Sequence, residues 1–159
     1  MEYVNIDYEN PKYIYHGSVK LIDGNINPNQ AQCMSDNKDN TYNAIYGTPL
    51  FDGAIPYAFP KQDERYFDQE SKTFCEGYEW SCNQENGKIK AIVNLGTINE
   101  DAYGYVYIFD ASNFERVSGS SQYISINDQK PIDIIKVYFK DYKNLFIFEN
   151  NPKLEYKKH

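Results

Sequence analysis

The sequence predicts a strand-rich α+β domain, and three observations predict it. Tyr and Phe number 16 and 9 among 159 residues, and both favour the half-buried surface of a sheet. The second half of the chain breaks into short apolar runs, several of them alternating, separated by turn residues. The first half is punctuated so often by Gly, Pro, Asn and Asp that it holds at most one or two short helices. The length suits a single domain over residues 1–159, with its core over about 12–149. No internal repeat and no low-complexity linker divides it.

The elements follow in chain order. KYIYH (12–16) reads as a strand that stops at His16-Gly17-Ser18. LIDGNINPN (21–29) is a turn-rich exit, with Gly24 and Pro28 as breakers. Residues 31–43 are polar and read as a loop. AIYGT (44–48) is a short strand ended by Gly47 and Pro49. FDGAIPYAF (51–59) is a short helix with Asp52 as N-cap and Ala54, Ile55 and Ala58 as its apolar face; Pro56 must then fall within a first turn. Residues 60–86 give no assignable pattern. KIKAIVNL (88–95) is a strand. YGYVYIFD (103–110) carries the strongest strand signal, with Tyr103, Tyr105, Tyr107 and Phe109 on one face and Val106 and Ile108 on the other. SQYISI (121–126), PIDIIKVYFK (131–140) and NLFIFE (144–149) complete the strands, and NPKLEYKKH (151–159) reads as a frayed tail.

Composition excludes several classes. Lys and Arg total 16 against 23 Asp and Glu, a formal charge of −7. That disfavours general binding to nucleic acid or to anionic lipid. It leaves open a small anionic ligand held by backbone N–H groups. Only Arg65 and Arg116 offer a bidentate grip on phosphate. Cys33, Cys75 and Cys82 have neither the number nor the spacing of a disulfide framework or a zinc site, so no metal is expected. The first residues lack the apolar core of a signal peptide, and no apolar run has membrane-spanning length. The expected location is cytoplasmic, with unconventional secretion left open. A cysteine hydrolase is disfavoured, because the only histidines are His16 and His159 and nothing places either near a cysteine.

Three constellations carry chemistry. His16-Gly17-Ser18 brings an imidazole, a bare backbone and a hydroxyl to one strand end, a grouping that suits a planar amide and sugar hydroxyls. Alone, the tripeptide reads equally as a strand running into a turn. Tyr46 and Tyr57 flank the short helix; rings about 7 Å apart would sandwich a flat heterocycle, although two tyrosines among so many also serve as core. Ser121 and Gln122 open a later strand. No dinucleotide fingerprint or P-loop is present.

Together, YHGS, IYGT, a short helix with a tyrosine eleven residues on, and QYISI resemble the ADP-ribosyltransferases of the His-Tyr-Glu type. That family includes poly-ADP-ribose polymerase catalytic domains and small rifampin-inactivating transferases. The resemblance covers roughly residues 12–139. It implies two small antiparallel sheets in a split sandwich, with NAD as substrate and no metal. It places His16 on the ribose hydroxyls, the Gly17 backbone on the nicotinamide amide, and Tyr46 and Tyr57 around the nicotinamide. Ser18 and Thr48 fall nearby.

The family's glutamate corresponds to Gln122. Glu115, which follows Phe114, is the leading substitute acid, ahead of Asp110 and Asp128. The expected activity is transfer of a single ADP-ribose to an unknown acceptor (protein, nucleic acid or small molecule). The alternative is a weak or silent member of the fold that binds NAD, ADP-ribose or a protein. An unrelated β-rich interaction protein is the third reading.

Overall fold

A computed structural model describes residues 2–30, 43–60, 65–68, 73–75, 80–85, 88–93, 97–120, 122–148 and 155–157. Its strands are β1 (Tyr13–Ser18), β2 (Asn29–Gln30), β3 (Asn43–Gly47), β4 (Arg65–Asp68), β5 (Thr73–Cys75), β6 (Trp80–Glu85), β7 (Lys88–Val93), β8 (Tyr103–Asp110), β9 (Glu115–Arg116), β10 (Tyr123–Ser125), β11 (Asp133–Tyr138), β12 (Phe146–Phe148) and β13 (Glu155–Lys157). The one α-helix among the described residues is α1 (Phe51–Ala54), continued by a 3-10 turn over Ile55–Tyr57. The architecture is therefore strand-rich α+β.

Among the described residues, four small sheets form. The two that matter here are antiparallel: β1-β8-β11, and β2-β3-β10-β9. A third, β12-β7-β6, is mixed, because β12 runs parallel to β7. The fourth is β13-β4-β5. The expectation of two antiparallel sheets thus covers only part of the structure.

Strand β8 is central because both of its faces are apolar. Ile14, Tyr107 and Phe109 pack against Ile45, Phe114 and Tyr123 of the second antiparallel sheet and its approach. Val106, Ile108 and Val137 pack on the other side with Ala54, Ile55, Ala58 and Phe59, and with Ala91 and Val93 of β7. The alternation in YGYVYIFD is realised residue for residue, with Val106, Tyr107 and Ile108 at 0% exposure.

Two glycines let the helical segment lie directly on this sheet. A Cβ on Gly17 would stand 2.0 Å from the Ala54 carbonyl oxygen, and one on Gly104 would stand 1.6 Å from that of Ala58. No real Cβ approaches a backbone oxygen so closely.

Several boundaries differ from expectation for identifiable reasons. β1 does not stop at His16. Pairing continues through Gly17↔Val106 and Ser18↔Tyr105, so the ladder carries the strand past its last large apolar residue. The N-cap of α1 is Leu50, with Asp52 inside the first turn. Pro56 has no N–H for an α-type bond, and the segment tightens to 3-10 geometry around it. The 131–140 run ends in a 3-10 turn at Phe139–Asp141, and the 144–149 run begins with another at Lys143–Leu145. The expected frayed tail contributes β13, which pairs with β4. Within 60–86, three strands form where no pattern was readable. Most of the 31–43 loop, Cys33, Ser121 and His159 lie outside the described residues.

Candidate functional site at the parting of two strands

Strands β1 and β3 join the two antiparallel sheets at a single bridge. The Tyr15 N–H donates to the Thr48 carbonyl at 2.8 Å, and the Thr48 N–H donates to the Tyr15 carbonyl at 3.0 Å. One bridge is held because Asn5 reinforces it from the side. Its amide donates to the carbonyls of Tyr13 and Pro49, both at 2.8 Å, and its oxygen accepts the N–H groups of Lys12 and Tyr13. Asn5 is buried, and all its hydrogen-bonding capacity toward the backbone is used.

Beyond the bridge, the ladder would next pair Gly17 with Tyr46. Instead the His16 imidazole takes the Tyr46 carbonyl, with Nδ1 2.6 Å from it. A carbonyl only accepts, so Nδ1 carries the proton and Nε2 presents a lone pair. Burial pushes the His16 pKa below its usual value, and the bond to Tyr46 opposes this only in part. The ring is therefore neutral at pH 7. Tyr107 lies beside it, with ring centroids 6.1 Å apart.

The parity of the strand decides where Gly17 points. Tyr15 directs its N–H and C=O toward β3, and residues two apart in a strand direct theirs to the same side. Gly17, which is buried, therefore turns its N–H and C=O away from β8 and toward the side of β3. Neither group forms a hydrogen bond among the described residues. Buried backbone groups are nearly always paired, so this pair stands out. Tyr57 borders the same place; its Cβ is 3.0 Å from where a Gly17 Cβ would be, and the residue is 51% exposed.

The other expected residues fall at different depths. Tyr46 is half-buried in β3. Thr48 Oγ1 accepts the Leu50 N–H at 3.2 Å and helps launch α1. Ser18 Oγ accepts the Lys20 N–H at 3.2 Å and closes the turn after β1. Gln122 falls opposite Thr48, one step beyond the Tyr123↔Gly47 pair. It is thus two strand spacings, about 10 Å, from Tyr15, and its side chain makes no hydrogen bond among the described residues.

Glu115 is opposite Ile124, which is opposite Tyr46. It is exposed on the edge strand, three spacings or about 14 Å from β1. Asp110 stands opposite Tyr13, farther along β1, and is committed to the N–H and hydroxyl of Ser112. Asp128 is exposed in the turn after β10.

The structure thus gathers His16, Gly17, Tyr46 and Tyr57, brings Gln122 nearer than Glu115, and leaves Asp110 aside. Asn5 was not singled out in the sequence; an isolated Asn in a polar N-terminal stretch gives no signal of what it stitches. Two cavities, of about 480 Å³ beside Lys12 and Asp110 and about 190 Å³ beside Asp52, lie elsewhere and are not lined by His16, Gly17 or Tyr57. Among the described residues, no cluster of His, Cys, Asp or Glu is suited to a metal, and no helix is long and apolar enough to cross a membrane. Compared with family models, curated proteins and solved structures, the chain finds no match in any of the three.

Proposed function

We propose that the protein is an NAD-dependent transferase of a single ADP-ribose unit, with the nicotinamide end of NAD seated where β1 and β3 part. The observation that carries this reading is the N–H and C=O of Gly17, which form no hydrogen bond among the described residues, side by side with a neutral His16. A carboxamide offers one donor face and one acceptor face, which complement those two backbone groups. The His16 Nε2 lone pair accepts a ribose hydroxyl. Tyr57 on the helical segment and Tyr46 on β3 are the aromatic groups the resemblance assigns to the pyridinium ring. The two small antiparallel sheets that separate beyond one bridge agree with the split arrangement the resemblance implies.

In the reaction, the bond between nicotinamide nitrogen and ribose C1′ breaks with its electron pair going to nicotinamide. An acceptor nucleophile then bonds to C1′ and loses its proton. The chain contributes position and a partly dry environment. Gln122, two strand spacings or about 10 Å from β1, is the side chain at the position the resemblance gives to the family's glutamate. Its amide hydrogen-bonds a hydroxyl but carries no charge to balance the cationic ribose. A carboxylate about 5 Å from that cation is worth roughly 3 kcal/mol at an effective dielectric near 20, about a hundredfold in rate. Turnover is accordingly slow.

The same glutamine favours the second reading, a silent member of the fold that binds NAD or ADP-ribose. Incubating the purified protein with NAD and a cell lysate separates the two. Released nicotinamide together with a labelled acceptor supports the transferase. Calorimetric binding of NAD with neither product supports the silent binder. Absence of NAD binding overturns both.

A further inference from the structure

Strand β11 is the outer strand of its sheet, with β8 on one side and no strand on the other among the described residues. Its register fixes which backbone groups face outward. The Phe139 N–H donates to the Ala102 carbonyl at 3.0 Å, and the backbone groups of residues two apart point the same way. Ile135 and Val137 therefore face β8, while Ile134, Lys136 and Tyr138 turn their N–H and C=O groups outward. The Asp133 carboxylate accepts the Ile134 N–H at 2.8 Å. The Lys136 and Tyr138 N–H groups form no hydrogen bond beyond the sheet among the described residues. Both residues are exposed.

The side chains along the same edge carry positive charge. Lys136 lies opposite Tyr105 and Tyr138 opposite Tyr103, so all four stand on one face of the sheet. The Lys136 ammonium is 4.3 Å from the centroid of the Tyr103 ring and 5.3 Å from that of Tyr138, and the Lys140 ammonium is 5.7 Å from the Tyr138 ring. Neither ammonium meets a carboxylate among the described residues. The rings hold Lys136 against the sheet, beside the outward backbone groups.

A lysine on an edge strand guards against pairing with a like strand. A second copy set antiparallel over the full stretch 134–138 would be centred on Lys136 and would place two ammonium groups opposite each other, which is unfavourable. The same lysine favours a strand that brings an acid to that position. From the open edge and its charge, we infer that β11 takes up an extended acidic segment of a partner protein as an added antiparallel strand. The segment carries Asp or Glu opposite Lys136, and apolar residues two positions to either side, opposite Ile134 and Tyr138. Backbone bonds to Lys136 and Tyr138 supply the attachment, and the Lys136 charge supplies the selectivity. The site does not depend on NAD binding at Gly17.

The test is an NMR titration of the full chain with the blocked peptide Thr-Val-Thr-Glu-Thr-Val-Thr, whose Glu and Val side chains reproduce this pattern. Expected are saturable amide shifts along β11, with hydrogen exchange slowed at Lys136 and Tyr138. Replacing the peptide's Glu by Lys is expected to weaken binding about tenfold. N-methylation of its Glu and Val residues, whose N–H groups would face β11, is expected to abolish binding, whereas N-methylation of its Thr residues is not. Lys136→Glu is expected to reverse the preference between the two peptides, and Lys136→Gln to erase it. The proposal is overturned if the Glu peptide gives no shifts along β11 at millimolar concentration, binds no better than the Lys peptide, or keeps its affinity when its Glu and Val are N-methylated. It is equally overturned if Lys136→Glu leaves the preference unchanged. A dimer of the chain alone, with the Lys136 and Tyr138 amides already protected, would assign the edge to a second copy and overturn it too.

Discussion

The two ends of the β1–β3 contact are opposites. At one end Asn5, Tyr15 and Thr48 stitch the sheets together, and every backbone group they touch is paired. At the other end, two residues along, His16 removes the Tyr46 carbonyl from the ladder, and the Gly17 N–H and C=O form no hydrogen bond among the described residues. The same pair of strands is thus paired at one end and parted at the other. A polar group left unsatisfied costs stability, and the Asn5 junction offsets that cost farther along the same strand.

Substitutions at each end sharpen this contrast. The largest effect is expected from Gly17→Ala. Its Cβ would meet the Ala54 carbonyl oxygen at 2.0 Å, and backbone yields poorly, so a loss of about 3 kcal/mol is expected in urea unfolding, together with loss of nicotinamide binding by calorimetry. An unchanged urea midpoint would mean that the helical segment does not rest on β1.

Gln122→Glu is expected to raise nicotinamide release from NAD by about a hundredfold, at the open end only, with no change in melting temperature. If it changes nothing while Glu115→Ala abolishes release, the acting acid is Glu115. At the stitched end, Asn5→Ala strands two backbone carbonyls and two N–H groups. Part of them regain water, so about 2 kcal/mol is expected, with any NAD affinity reduced in proportion to unfolding alone.

The smallest effect is the pH dependence of His16. Its folded pKa lies below the usual 6.5, so the unfolded chain takes up the proton first as pH falls. The stability tied to the neutral ring is therefore present above pH 6.5 and is lost as pH falls through and below that value. Melting temperatures recorded from about pH 7 to pH 5 are expected to fall more steeply for wild type than for His16→Asn. Parallel slopes would place the His16 ring in water.

Much of the open end was legible in the sequence, and little of the stitched end. Local alternation announces a strand such as β8, because a period of two is a property of consecutive residues. His16-Gly17-Ser18 was conspicuous for being poor core material. That the strand continues through it was not legible, since the cause is the ladder with Tyr105, Val106 and Tyr107 some ninety residues later. β13 was hidden for the same reason: Glu155–Lys157 has no strand-like pattern and takes its form from β4. The close seating of the helical segment on Gly17 and Gly104 is likewise a matter of three-dimensional approach, which an isolated glycine does not advertise.

Tyr107 lies beside His16, and its hydroxyl has two simultaneous duties. It donates to the Lys20 carbonyl at 2.6 Å and accepts the Ile22 N–H at 2.8 Å, pinning the chain that leaves β1. Burial pushes this phenol above the usual 10.0, as it does Tyr15 and Tyr142. A phenolate could still accept from Ile22 but could no longer donate to Lys20. Alkaline ionisation of this phenol is therefore coupled to release of the 20–22 segment, and the difference in ultraviolet titration between wild type and Tyr107→Phe would follow that local detachment without an attached probe.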